Sequence, residues 1–330
     1  MDWGYIFSVT LQSAVGIEAI VFGLMAIGLN LHFGYTGLLN FGQSAFLAVA
    51  SYSLAVLVTD MGFTFWVGIV VGILAAVVLA LLLGIPTLRL RADYLAIVTI
   101  AAAEIVRLLV RSVALKDIFG GSDGLRDFSS GFYAMNPVPV GQYSLGPVTL
   151  NQDKVFVLIV GWLLVALSLL IVWMLVRSPW GRILKGIRED EDAVRSLGKN
   201  VYLVKMQSLI IGGVLGCLGG FIYALGYQNV GPDFFGTDTT FFAYAILILG
   251  GAARVLGPLL GTIVFWALIQ GTDVLLRSGI DAGFPLVAWM SGSQAAVVRY
   301  IIVGAGLMLL MIFRPQGILG DRKELALDAR

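Results

Sequence analysis

Charge is scarce in this 330-residue chain, with 12% Asp, Glu, Lys and Arg against 59% hydrophobic residues. Soluble domains carry about 25% charged residues, so the composition excludes an ordinary soluble enzyme and implies a polytopic membrane protein. Cys217 is the only cysteine, which rules out an internal disulfide. His32 is the only histidine. One Cys and one His cannot supply a paired zinc motif, and a Cys–His nucleophile pair would require these two to meet by chance. No metal or cofactor is expected. The string G-x-x-x-x-G-K-[ST] is absent, so no nucleotide is held by a P-loop. The opening MDWGYIFSVT has no basic n-region, and no cleavable signal peptide is expected. The net charge of +1 says little about partners, and no nucleic-acid partner is expected.

What is present is a series of apolar runs near the length of about 20 residues that a membrane-crossing helix needs. They fall at 11–31, 38–58, 63–83, 95–113, 155–176, 204–227, 241–251, 255–276 and 295–313. The expected fold is all-α, a single membrane domain over 1–330 with about nine transmembrane helices. Residues 84–86 (GIP) are expected to end the third span. The polar stretch 116–154 is too long for a hairpin turn and is expected outside the cytoplasm. With the charged segment after residue 177 assigned to the cytoplasm, 14 of the 21 basic residues fall inside and five outside. That asymmetry puts the N-terminus outside and the C-terminus, with Arg314, Arg322, Lys323 and Arg330, in the cytoplasm.

The charged segment, SPWGRILKGIREDEDAVRSLGKN at 178–200, is the longest polar island between the spans. Ser178 suits an N-cap, Pro179 the first helical position and Gly198 a C-terminal cap. Ile183, Ile187, Val194 and Leu197 recur near a helical period, which predicts one short amphipathic helix at the cytoplasmic surface. Charge alone favours a solvated loop obeying the positive-inside rule. The residue order decides between them.

That order, GIREDEDAVRSLG at 186–198, resembles the cytoplasmic coupling loop of ABC importer permeases of the branched-chain amino-acid (Liv-type) family, M-type subunit. The family's E-A-A…G pattern stands here as Glu191, Asp192, Ala193 and Gly198, with Asp192 departing from Ala. GYTGLLNFGQSAF at 34–46, GGAARVLGP at 250–258 and FRPQGILG at 313–320 are similar to other blocks of that family, in its order. The resemblance implies an importer of branched-chain or related amino acids in a prokaryotic cytoplasmic membrane. It implies a homologous second permease, two cytoplasmic ATPases that hydrolyse the ATP, and an extracytoplasmic substrate-binding protein. It places ATPase coupling in the loop 178–203, at Arg188, Glu189, Asp190, Glu191, Asp192, Ala193, Val194, Leu197 and Gly198. Urea and amide permeases resemble the same family.

Gly34, Tyr35, Gly37, Asn40, Gly42, Gln43 and Ser44 are the translocation-pathway candidates. The glycines loosen a helix, and the polar residues line it, as in broken transporter helices; the alternative is that the glycines serve close helix packing. Gly212, Gly216 and Gly220, four residues apart, read as a packing face. Glu18, Glu104, Arg107, Asp273 and Arg299 fall within spans, each costing about 2.5–3.5 kcal/mol at mid-bilayer unless it faces protein or water. Glu104 and Arg107 share a helix face and are expected to form a buried charge pair. An ion-coupled secondary transporter would use such carboxylates but leaves the segment 186–198 unexplained. An intramembrane enzyme lacks a nucleophile–base pair or metal cluster.

Overall fold

In hydrocarbon a segment must satisfy its own backbone hydrogen bonds, and a helix does so without help from other segments. The computed structural model, which describes residues 2–89, 92–145, 148–285, 287 and 289–320, is accordingly a helical bundle. In chain order its helices are α1 (Trp3–Ala14), α2 (Ile17–Leu29), α3 (Gln43–Thr59), α4 (Phe65–Thr87), α5 (Ala92–Arg111), α6 (Lys116–Phe119), α7 (Ser130–Tyr133), α8 (Gln152–Arg177), α9 (Pro179–Glu189), α10 (Glu191–Ser196), α11 (Val201–Tyr227), α12 (Thr237–Gly250), α13 (Gly257–Asp281) and α14 (Gly292–Phe313). Among the described residues, six stretches are long and apolar enough to cross a membrane: Trp3–Tyr35, Phe65–Thr87, Gln152–Arg177, Val201–Tyr227, Gly257–Asp281 and Gly292–Phe313. The helices α3 and α12 are apolar but shorter. The chain is a multi-pass membrane protein. Arg91, Arg322, Lys323 and Arg330, counted in the inside charge, lie outside the described residues.

Helix starts fall where a polar residue meets an apolar run. The side chains of Asn151 and Asn200 accept from Lys154 N and Leu203 N to cap α8 and α11, and Ser291 forms a capping box with Gln294 ahead of α14. The core is α2, α3 and α11. Every residue of α2 from Ala19 to Leu29 is buried. On this core, α4 covers α3 and α11, while α13 lies along α1 and α2. The outermost helix, α14, keeps most of its apolar side chains exposed, as a lipid-facing helix would.

Three boundaries differ from expectation. The first helical run begins at Trp3 rather than residue 11 and breaks at Val15–Gly16, where Trp162 Nε1 donates to the Val15 carbonyl at 3.0 Å. The second span starts at Gln43 instead of residue 38, because the chain between Thr36 and Gly42 is unwound. Helix α4 runs through Pro86 to Thr87; so near the C-terminus Pro removes one ladder bond and the helix simply ends a residue later.

The stretch 116–154 is a folded cap, not an open loop. It holds α6, α7, strand β1 (Leu125–Arg126) and a hairpin of β2 (Gln142–Leu145) with β3 (Val148–Asn151). Strand β1 pairs with β4 (Asn229–Val230), just beyond α11. Phe128 and Phe132 are buried beneath the cap, and Tyr133 Oη donates to Leu225 O at 2.7 Å. On its surface Lys116 and Asp123 meet at 2.8 Å, a contact that holds the carboxyl below its usual range and the ammonium above it. The cap therefore sits at the end of the bundle opposite α9 and α10, which join the far ends of α8 and α11.

Candidate functional site

The island 178–200 forms two helices, not one. Ser178 caps α9, with its hydroxyl accepting from Gly181 N at 3.4 Å and Pro179 in the first turn. The helix stops at Asp190, whose backbone is extended (φ −154°, ψ 102°) and whose carboxylate accepts from Asp192 N and Ala193 N to start α10. An Asp that caps a new helix competes with continuing the old one, which is why a single stripe from Ile183 to Leu197 does not form. The buried face is Gly181, Leu184 and Ile187. Val194 is half-buried against Gly186, whereas Leu197 is 77% exposed. Gly198 ends the segment at φ +73° with open space around it.

Charges divide this segment into an inner and an outer side. Glu191 pairs with Lys205 on α11 and with Arg195, and Arg195 also reaches Asp192 at 2.7 Å. Glu189, Asp190, Asp192 and Ala193 are exposed. Arg188 turns inward: its Nη1 donates to the Gly34 carbonyl at 2.6 Å. Thus the segment grips the bundle through Ile187, Arg188 and Glu191 and presents α10 and Leu197 to solvent.

Gly34 belongs to a break in the second helical run. After Leu29 the helix widens into a π-type turn, Asn30–Tyr35, and then unwinds. The carbonyls freed there find partners. Leu31 O accepts from Thr36 Oγ1 at 2.8 Å, and His32 O accepts from Leu38 N at 2.8 Å. Gly37 has φ +74°, and a Cβ there would touch the Arg188 stem at 3.5 Å. The side chains then form one buried network. His32 Nε2 meets Leu209 O and its Nδ1 meets Asn40 Nδ2, both at 3.2 Å. Asn40 donates to Gln43 Oε1 at 3.2 Å, and Gln43 Nε2 donates to Gly212 O at 3.1 Å. Phe41 N donates to Thr99 Oγ1, Ser44 N to Thr240 Oγ1, and Tyr244 Oη to Asn40 O, each near 3.0 Å.

Of the pathway candidates, Asn40, Gln43 and Ser44 are therefore wholly buried, as are Gly34, Gly42 and Tyr35, and only Gly37 is partly open. They tie α2, α3, α5, α11 and α12 together, while Gly37 lines a small pocket with Arg188, Glu191 and Lys205. Gly212 and Gly216 are the counterpart of this network: a Cβ would stand 2.2 Å from His32 Nε2 at the first and 2.1 Å from Gln43 Nε2 at the second. The four-residue glycine spacing is a packing face, shaped to admit polar side chains. The motif missed Asn30, His32, Thr36, Ser208 and Tyr244. A lone histidine and a lone asparagine in an apolar run were the available signal.

Two further sequence blocks reach the same place. Asn30 Nδ2 donates to Arg254 O, and its Oδ1 accepts from Ala253 N, both at 2.8 Å. Ile318 N and Leu319 N donate to Leu249 O and Gly250 O at 2.9 and 3.0 Å. Segments 34–46, 186–198, 250–258 and 313–320 thus converge at one end of the bundle.

The charged residues within spans all have partners. Arg107 grips Glu104 through Nε at 2.9 Å and Nη2 at 2.5 Å, although the Glu104 side chain remains 37% exposed, so the pair is half-buried rather than sealed. Asp233 stands 3.3 Å from Arg111 and 4.0 Å from Arg107. Asp273 receives Arg277 at 2.9 Å and Arg299 at 3.3 Å, and Tyr227 donates to Glu18.

Comparison with known proteins fits this arrangement. The family described as branched-chain amino acid transport system / permease component matches residues 13–312. The high-affinity branched-chain amino acid transport system permease protein LivM of Escherichia coli (strain K12) is 30% identical over 321 residues, covering 91% of this chain and 68% of that protein. A probable LivM of Methanocaldococcus jannaschii is 24% identical over 360 residues, covering 96% of this chain and 95% of the relative. The LivH permease protein of Salmonella typhimurium is 24% identical over 310 residues, covering 91% of each chain. The chain belongs to the family of branched-chain amino acid transport system permease components.

Proposed function

We propose that this chain is the M-type permease subunit of an ABC importer for branched-chain or related amino acids. It forms the pathway with a homologous second permease, receives substrate from an extracytoplasmic binding protein, and is driven by two cytoplasmic ATPases that carry out the ATP hydrolysis. The observation that carries this reading is the Arg188–Gly34 contact, because it joins a segment that also presents α10 and Leu197 to solvent to the backbone of a broken core helix. ATPase closure that displaces α9 and α10 would thereby shift the bundle between outward- and inward-open populations. In this reading α3, α5 and α12 cross with the six longer stretches, giving nine crossings in the cytoplasmic membrane, N-terminus outside and C-terminus inside. An ion-coupled secondary transporter is less well supported: Glu18, Glu104 and Asp273 are each held by a protein partner. The similarity to LivM permease proteins favours a branched-chain amino acid over urea or an amide.

The test is ATPase docking. Leu197 is apolar and exposed beside Gly198, whose positive φ a β-branched residue resists. Leu197→Asp and Gly198→Val are expected to leave the protein in the membrane but to lose the ATPases on copurification. A central interface residue carries about 2 kcal/mol or more, roughly a thirtyfold weaker association. If both variants retain the ATPases and normal substrate-stimulated hydrolysis, the segment is a solvated loop and the reading fails.

A further inference from the structure

The ion pairs on α5 lie in an unusual place. Leu108 and Ile105 on the same helix are 52% and 58% exposed, as expected of a surface that meets hydrocarbon or another subunit. At the edge of that face stand Glu104, Arg107 and Arg111, joined by Asp233 from the turn before α12. Their side chains are 37%, 17%, 45% and 77% exposed. A charge facing lipid costs up to about 2.5–3.5 kcal/mol, the mid-bilayer value, so the face is best covered by water or protein. Toward the α9 end of the bundle the cluster leads to an aromatic pair, Phe41 and Phe241, at 5.5 Å between ring centroids. Phe41 is itself part of the unwound segment, with its amide on Thr99 Oγ1. Thr99 and Glu104 are five residues apart, about 7.5 Å along the helix axis.

We infer that this cluster is a substrate subsite on the outer half of the translocation pathway, one that takes a zwitterionic, apolar amino acid. The inference rests on the permease reading above. Two carboxylates and two guanidinium groups neutralise each other when no ligand is present, so the empty site strands no charge. A zwitterion can open the Glu104–Arg107 fork and replace it, its ammonium on Glu104 and its carboxylate on Arg107. The number of satisfied charges then rises without changing the net charge. A purely cationic or anionic ligand would leave one half-buried partner uncompensated, which carries a cost. The carboxylate matches the bidentate geometry of a guanidinium. Leu108 and Phe241, both exposed, and the half-buried Phe41 are apolar or aromatic and suit an aliphatic side chain. The dense polar network beside Phe41 would then form the floor that must move before substrate passes.

The experiment uses the assembled transporter, both permeases, the ATPases and the binding protein, in proteoliposomes. In a Cys217→Ala background, Leu108→Cys and Leu167→Cys each place one thiol at an exposed apolar position, on α5 and α8. A water-soluble thiosulfonate is expected to modify Leu108→Cys at least about tenfold faster than Leu167→Cys, since only thiols in contact with water ionise readily. Equal, slow modification of both would place the α5 face in lipid or in a dry interface and overturn the inference. The second arm compares uptake by Glu104→Gln/Arg107→Met at matched folded yield. A hydrogen bond to a charged group contributes about 1.5–3 kcal/mol, so uptake is expected to fall roughly 10- to 100-fold. ATP hydrolysis stimulated by loaded binding protein is expected to persist, because the coupling segment is untouched. Wild-type uptake in the double variant would reduce the pair to a structural salt bridge and overturn the subsite alone. Absence of ATP-dependent amino-acid uptake in the wild-type assembly would remove the permease reading, and the subsite with it.

Discussion

Arg188→Met isolates the proposed coupling contact. The substitution keeps an aliphatic stem of similar length against Gly37, so packing there is preserved, and removes only the guanidinium that donates to Gly34 O at 2.6 Å. Hydrogen bonds from charged groups contribute about 1.5–3 kcal/mol, and a half-buried site belongs near the lower value. If that energy is what makes the broken helix follow α9, losing about 1.5 kcal/mol changes the ratio of following to non-following states roughly tenfold. The expected phenotype is specific: normal insertion, ATPases retained, and amino acid moved per ATP hydrolysed down by about tenfold. Loss of uptake with loss of the ATPases would instead indicate a docking defect. The assay is reconstituted uptake and hydrolysis in the same vesicles, with Arg188→Lys as the partial restoration, because Lys keeps the charge but lacks the planar fork. An unchanged uptake-to-ATP ratio in Arg188→Met would refute the claim that this contact transmits the motion.

Two other predictions address topology and packing. In a Cys217→Ala background, Ser130→Cys on the cap is expected to react with an impermeant thiol reagent added to intact cells and Ser196→Cys on α10 is not; both positions are exposed, so the reverse pattern would invert the orientation. Gly216→Val forces a side chain into the space of the Gln43 amide, 2.1 Å from the new Cβ, and overpacking of this kind costs about 1–3 kcal/mol. The thermal midpoint of the purified protein is expected to drop clearly for Gly216→Val but not for Gly306→Ala on α14, where nothing lies within 4 Å; equal midpoints would show that the Gln43 network contributes nothing.

Sequence patterning conveyed the local features well. Ser178 and Pro179 start a helix, Gly198 turns with positive φ, and Glu104 pairs with Arg107, all because each depends on neighbours within a few residues. The glycines at 212 and 216 were legible as a packing face, since a four-residue repeat of small residues has few other uses. Three things were not legible. The break at Asp190 was hidden because a capping Asp and a solvent-facing helical Asp fit the same periodicity. The burial of Asn40, Gln43 and Ser44 was hidden because a polar residue in an apolar run signals either a lumen or a buried partner, and their partners Gly212 and Thr240 lie more than a hundred residues away. The contact between Arg188 and Gly34, 154 residues apart, arises only when the folded bundle brings the charged segment against the end of α2.

The position of that contact matters for how motion could pass through the bundle in the proposed reading. A contact between two side chains can be lost by a rotamer change, leaving the backbone where it was. Arg188 instead holds a backbone carbonyl, and holds it in the π-type turn just ahead of the unwound chain. Displacing α9 therefore acts on main-chain atoms of a segment where the regular α-helical ladder has already given way. The next residues along the chain are fixed to three other helices: Phe41 to Thr99 on α5, Gln43 to Gly212 on α11, and Ser44 to Thr240 on α12. A shift at Gly34 is thus delivered to helices on opposite sides of the core rather than absorbed in a loop. Buried hydrogen bonds suit this role better than apolar packing. Each has a defined geometry, and a partly satisfied network is expensive, so intermediate positions are disfavoured and the bundle has reason to adopt discrete states.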